Sequence, residues 1–170
     1  ARYAEVLLWG LQTARQKRYR KQDVVLIQYE PAATALAEEL FSRLLDRGIN
    51  PVQRILATSG MERSFYEKSD RRQLTFLTPG DRELFSALNG RIFLRAPESL
   101  THLHSIDPAK IGRMLVSRKP LRDILDRRED TGIYSWTLCL FPTEELARWA
   151  QMDMKDYSAQ IIKACFLDRI

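Results

Sequence analysis

DVVLIQYEPAATALAEELFSRLLDRGINPVQRIL, residues 23–56, reads as a strand, a helix and a second strand in succession. Val24, Val25, Leu26 and Ile27 form an aliphatic run without polar alternation, the pattern of a strand buried on both faces. Ala33, Leu36, Ala37, Leu40, Phe41 and Leu44 then recur at helical spacing, with Glu38, Glu39, Ser42, Arg43, Asp46 and Arg47 opposite them. Gly48 suits a left-handed cap, Pro51 blocks the helix from restarting, and Val52 to Leu56 returns as a strand. A parallel pair needs a crossover of about a dozen residues, and such crossovers are right-handed. The unit therefore predicts an α/β fold of three layers: a mostly parallel open sheet of about four to five strands, with helices on both faces.

The 170-residue chain has the length of a single domain with its own core. No apolar run approaches the roughly 20 residues that cross a bilayer. Cys139 and Cys165 are too few for a disulfide framework and are expected as free thiols in a reducing compartment, which makes the location cytoplasmic. The net charge of +5 comes from 27 basic and 22 acidic residues mixed along the same helices. One basic cluster stands out: Arg15, Lys17, Arg18, Arg20 and Lys21, with Tyr19 among them. It reads as a solvated helix end, and neither nucleic acid nor membrane is expected as a partner.

Working outward, Tyr3, Val6, Leu7, Gly10, Leu11 and Ala14 predict an opening amphipathic helix with Trp9 off its stripe. After the second strand, a short helix carries Met61, Glu62 and Phe65, and Ser69 to Gln73 reads as a loop. Thr78 as N-cap and Pro79 at the first helical position begin the next helix, which Asn89-Gly90 closes before a strand over Arg91 to Arg95. Asp107-Pro108 opens another helix, Pro120 interrupts it, and Asp126 to Asp130 reads as a charged turn. Tyr134 to Phe141 is the last strand, with Tyr134, Trp136, Leu138 and Leu140 on one face and Ser135, Thr137 and Cys139 on the other, as suits a sheet edge. Thr143 and Asp153 cap the final two helices, and the last is expected to turn Met154, Tyr157, Ile161, Ala164 and Cys165 inward and to reach Ile170 without a closing signal.

Ligands of open parallel sheets bind beyond the carboxyl ends of the strands. Tyr29, Glu30, Arg95 and Glu98 are placed at that edge and form the candidate site, a substrate-chamber or interdomain surface. No glycine-rich phosphate cradle follows either strand, and Glu30 stands where a phosphate would sit, which argues against a dinucleotide fold. His102-Leu103-His104 has a metal-compatible spacing but no further ligand recognisable from spacing, so no metal or catalytic residue is assigned.

Trp136-Thr137-Leu138, Phe141-Pro142-Thr143, Leu146-Ala147, Ala150, Met152, Tyr157 and Leu167-Asp168 together resemble, in order and spacing, the N-terminal domain of the thermophilic-type metallo-aminopeptidases, the aminopeptidase T and aminopeptidase S group. Asp23 to Ile27, Gly48 with Pro51-Val52, Arg95-Ala96-Pro97-Glu98, and Ile106-Asp107-Pro108 with Lys110 extend the resemblance over nearly the whole chain. Three departures stand out. Gln22-Asp23 replaces the usual Gly-Asp, Ser99-Leu100 replaces Asn-Pro, and Ala150-Gln151-Met152-Asp153 replaces Ala-Gly-Met-Ser.

The resemblance implies a parent enzyme that removes N-terminal residues from peptides with two divalent metal ions, zinc, cobalt or similar. The metal ligands lie in a C-terminal catalytic domain and match no position here. Residues 1–170 are then a single N-terminal accessory domain, inactive alone, that walls the substrate chamber or supports a homodimer. The alternatives are an independent α/β binding or assembly module using the edge near Arg95 and Glu98, and, less favoured, a small nucleic-acid-binding domain led by Arg15 to Lys21.

Overall fold

The structure is a computed structural model that describes residues 2–168. Its strands are β1 (Val24–Tyr29), β2 (Asn50–Ile55), β3 (Leu88–Arg95) and β4 (Ser135–Leu140). They form a four-stranded sheet in the order β2-β1-β3-β4, with every pairing parallel. The helices are α1 (Arg2–Thr13), α2 (Thr34–Asp46), α3 (Ser59–Lys68), α4 (Arg71–Leu74), α5 (Asp81–Ala87), α6 (Pro108–Ser117), α7 (Lys119–Asp130), α8 (Glu144–Trp149) and α9 (Met154–Ala164). A single 3-10 turn, Pro31–Ala33, leads into α2.

The three layers follow from the alternation along β1. Val25 and Ile27 point to one face, where they meet Ala4, Leu7, Leu8 and Leu11 of α1 and Leu36, Ala37, Leu40 and Leu44 of α2. Leu26 points to the other, against Phe85 of α5, Leu121 and Leu125 of α7, and Tyr134. Leu40 and Leu44 are fully buried, and truncating either to alanine costs about 2–5 kcal/mol. A third cluster of Tyr66, Leu74 and Ile106 joins α3, α4 and α6.

The central unit folds as its sequence predicts. Gly48 closes α2 at φ +70°, with its N–H bonded to the Leu45 carbonyl (2.8 Å) and the Ile49 N–H to that of Leu44 (3.0 Å). Pro51 is tolerated in β2 because that strand is an edge. Several expectations are corrected. Residues 71–74 are helical, not loop: Asp70 and Gln73 form a reciprocal capping box and Leu74 is buried. Thr78 does not cap α5. Gly80 holds that position at φ +86°, and Asp81 turns inward to pair with Arg54 at 2.9 Å.

Asn89-Gly90 does not end a helix but lies within β3, where the Asn89 side chain accepts the Val24 N–H (3.0 Å). The charged run Asp126 to Asp130 continues α7 as its solvated side. The buried stripe of α1 runs through Ala4, Leu7, Leu8 and Leu11, so Gly10 is only half-buried and Ala14 is exposed. α9 ends at Ala164 with a left-handed Phe166 beyond it, and no residue of α9 is fully buried. The last two residues of its expected run to Ile170 lie outside the described residues. Cys139 is buried and Cys165 half-buried, and both are free thiols.

β4 is an edge strand, as its mixed composition predicts, yet its faces are assigned against simple hydropathy. The polar face is inside: Ser135 and Cys139 are buried against α1, where the Ser135 hydroxyl donates to the Leu11 carbonyl (2.7 Å). The apolar face is bare. Trp136 is 50% exposed, Leu138 52% and Leu140 38%. α5 and α7 cover β1 and the start of β3 but stop short of this strip. Among the described residues no helix is long and apolar enough to cross a membrane.

Candidate functional site

The strand order changes direction between β1 and β3, since β1 is followed by β2 on one side and β3 lies on the other. The loops that leave β1 and β3 part at this point and open a cleft. Glu30, the residue after β1, does the joining. Its backbone N–H bonds the Leu94 carbonyl (3.1 Å), one carboxylate oxygen meets the Arg95 guanidinium (3.1 Å), and the other accepts the Ala96 N–H. Glu30 is largely buried, while Arg95 is half exposed at 49%. Glu98 sits on the exposed rim of the same cleft. Tyr29 does not share it: at an interior strand's end its ring turns to the α1 and α2 face and packs on that core. Three of the four residues expected at the edge are thus brought together, and the fourth is structural.

Sequence reasoning missed the far wall of the cleft. α3, capped by Thr58 (Met61 N–H to the hydroxyl, 3.2 Å), brings Glu62 to His102. His102 Nε2 lies 2.8 Å from the Glu62 carboxylate and its Nδ1 lies 3.0 Å from the Ser99 carbonyl. Both partners accept, so which of them the ring donates to depends on the imidazole tautomer. His104 faces solvent, with Nδ1 at 2.8 Å from the Thr101 carbonyl. The two histidines therefore do not converge. Among the described residues no three His, Cys, Asp or Glu side chains are grouped to hold a metal ion.

The loop that carries Glu98 and His102 is fixed from below by α8. Thr143 caps that helix and donates to the Pro97 carbonyl (2.9 Å). Glu145 accepts the Leu100 N–H (2.9 Å), the Trp149 indole N–H (3.0 Å) and the Arg148 guanidinium. The Leu100 amide first, and Arg148 next, hold its carboxyl down at about 2.

Beside the cleft, α3 and α6 leave a groove of about 520 Å³. Leu56 and Ala57 floor it, Met61 and Phe65 form one wall, Met114 and Leu115 the other, and Glu30, Glu62, Arg95 and Arg118 bound it. Burial raises the Tyr66 phenol beneath it, Glu62 adds to the rise, and Arg118 opposes it. The apolar walls were legible only as separate helix stripes, because nothing in the local sequence says that α3 and α6 approach each other.

In the basic cluster at the opposite end of the strands Lys17, Arg18, Arg20 and Lys21 are exposed, as expected of a solvated helix end, but Arg15 is not and has a structural task. Arg15 is buried, pairs with Asp23 at 2.8 Å, and stacks on Tyr19 with 4.3 Å from guanidinium carbon to ring centre. The Tyr19 hydroxyl meets the Asn89 carbonyl (2.9 Å) and the Ser135 hydroxyl (2.8 Å).

A parallel α/β domain with a cleft at its switch point is the class that fold and site define. The family model described as Thermophilic metalloprotease (M29) matches residues 1–170, and the chain belongs to that family. Its fold is similar to that of wild-type AmpT from Thermus thermophilus, with a TM-score of 0.65 and 14% sequence identity. The match covers 97% of this chain and 42% of AmpT, so the chain spans about two-fifths of that protein's length. A search of curated protein sequences found no match.

Proposed function

We propose that residues 1–170 are the N-terminal, non-catalytic domain of a cytoplasmic metal-dependent aminopeptidase, and that they wall its substrate chamber or support its homodimer. The observation that carries this reading is the bare apolar strip of Trp136, Leu138 and Leu140 on an edge strand. Contiguous exposed apolar surface at a sheet edge marks a place where other protein packs. Family membership and a span of 42% of AmpT supply a candidate for that protein: a C-terminal catalytic domain of the same chain. The residues here do not fit the divalent ions of such an enzyme, since His102 and His104 are engaged separately by protein oxygens. On this reading the pair of ions, zinc, cobalt or similar, and the hydrolysis of peptides belong to that further domain.

The test is leucine release from a leucyl peptide by the purified protein with zinc or cobalt added. None is expected, and metal-dependent release would overturn the reading. In a protein carrying both domains, Trp136→Asp with Leu138→Asp is expected to reduce activity or dimer content while the unfolding midpoint of residues 1–170 alone stays unchanged. An independent binding module is the second reading, favoured by the cleft and groove at the strand ends, and a parent lacking any peptidase activity would select it.

A further inference from the structure

We propose that the groove between α3 and α6 binds the C-terminal end of a peptide, seating a large apolar side chain between Met61, Phe65, Met114 and Leu115 and its free carboxylate on Arg118. The volume, about 520 Å³, lies within the range of roughly 300–1,000 Å³ typical of small-ligand sites. Its walls are apolar, and two of them are methionines, whose flexible thioethers adapt to differing side chains. Met61 is 64% exposed and Leu115 49%, so the groove is open to a ligand.

Charge selects the occupant. Of the two acids at the groove, Glu30 is engaged by Arg95 and the Ala96 N–H, and Glu62 by His102. Among the described residues Arg118 has no carboxylate partner; its Nε–H lies against the Met114 sulfur at 2.9 Å, leaving the other guanidinium N–H groups free. Arg118 is thus, among the described residues, the one charged side chain of the lining with no oxygen or nitrogen partner, and it sits beside apolar walls. An amine end would have to share its acid with the Arg95, Ala96 or His102 contacts, whereas a carboxylate gains a guanidinium fork with no protein oxygen to displace. The choice of a peptide, and not another apolar carboxylate, rests on the aminopeptidase reading above. For such an enzyme, a domain that holds the far end of a short substrate favours peptides of a particular length.

N-acetyl-Ala-Leu-Phe with a free carboxylate tests this, read by methionine methyl NMR on the protein. The Met61 and Met114 methyl signals are expected to shift with the peptide, while those of Met152 and Met154, which do not line the groove, stay fixed. The C-terminal amide of the same peptide, and the Arg118→Gln variant, are each expected to bind at least about tenfold more weakly, the loss of one charge-assisted contact. Arg113→Gln, on the same helix but outside the lining, leaves binding unchanged. Absence of methyl shifts, equal binding of the amide, or equal binding of octanoate overturns the proposal. The readout needs no hydrolysis. Leucine release by this protein would overturn the non-catalytic reading and leave the groove standing, and absent methyl shifts would remove the groove alone.

Discussion

At the N-terminal ends of the strands Arg15, Tyr19, Asp23, Asn89 and Ser135 bond one another, with only the Arg15 Nε left buried and unpartnered among them, whereas at the C-terminal ends Arg95, Glu98, Glu62 and His102 meet solvent. Both ends hold an arginine paired with a carboxylate, Arg15 with Asp23 and Arg95 with Glu30. At the first, ion pair, stacking and hydroxyl bonds close on each other, and Gly90 lets Tyr19 reach the backbone of β3. At the second, the pairs leave one side of each group accessible. The difference teaches that charge content alone does not mark a site. What marks it is the part of each polar group that the fold leaves open to solvent.

Asp23→Asn should break the closed end most severely. The Arg15 and Asp23 side chains are only 4% and 13% exposed, and removing one charge strands the other in the interior. A loss of about 3 kcal/mol is expected from urea unfolding. Arg95→Ala, at the open end, removes a half-exposed partner and should cost less than about 1 kcal/mol. Equal losses at both ends would end the contrast.

Gly90→Ala comes next. Its added methyl would meet the Tyr19 hydroxyl and lie 3.1 Å from a Val25 methyl, for a cost of about 2 kcal/mol. Tyr19→Phe removes the obstructing oxygen, so the double variant should lose less than the two single losses combined. A double-variant cycle showing additivity would mean that Tyr19 is not what Gly90 accommodates.

The sequence made the strand-helix-strand unit readable because its apolar periods change from continuous to helical and back within residues 23–56. It made Glu30, Arg95 and Glu98 readable as edge residues because they follow strands. It could not yield the exposed face of β4, since Ser135 and Cys139 look polar alone and become interior only through α1 and Leu11. Nor could it yield Glu62 beside His102, a contact across 40 residues between a helix and a loop. Asp70 and Gln73 have the spacing of a capping box, yet the polarity of residues 69–73 made the stretch read as a loop, and Leu74 anchors it as a helix.

Glu145 sharpens the contrast through pH. Its carboxyl is held near 2 in the fold against an ordinary 4.5, so the unfolded chain takes up the proton first as the solution is acidified. The stability it contributes is complete above about pH 4.5 and fades as pH falls toward 2. Glu145→Gln should therefore be less stable than the parent at pH 6, and the two melting points should converge between pH 4.5 and 2. Parallel curves over that interval would remove Glu145 as the anchor of the 97–100 loop.

The smallest effects lie at two glutamines with left-handed backbones. Gln22 has φ +70° and Gln151 φ +55°. Gln151 follows α8 in the position where glycine is favoured, its N–H on the Arg148 carbonyl (3.1 Å) and that of Met152 on the Ala147 carbonyl (3.0 Å). A left-handed conformation costs a residue with a side chain about 1–2 kcal/mol, and glycine's extra freedom in the unfolded chain takes back about 0.5–1 kcal/mol. Gln22→Gly and Gln151→Gly are each expected to stabilise by about 0.5 kcal/mol, additively, because they act at separate turns. Gln22 lies beside the closed network and Gln151 beside the α8 support of the open end, so destabilisation by either change would show that its side chain, not its backbone, holds that end in place.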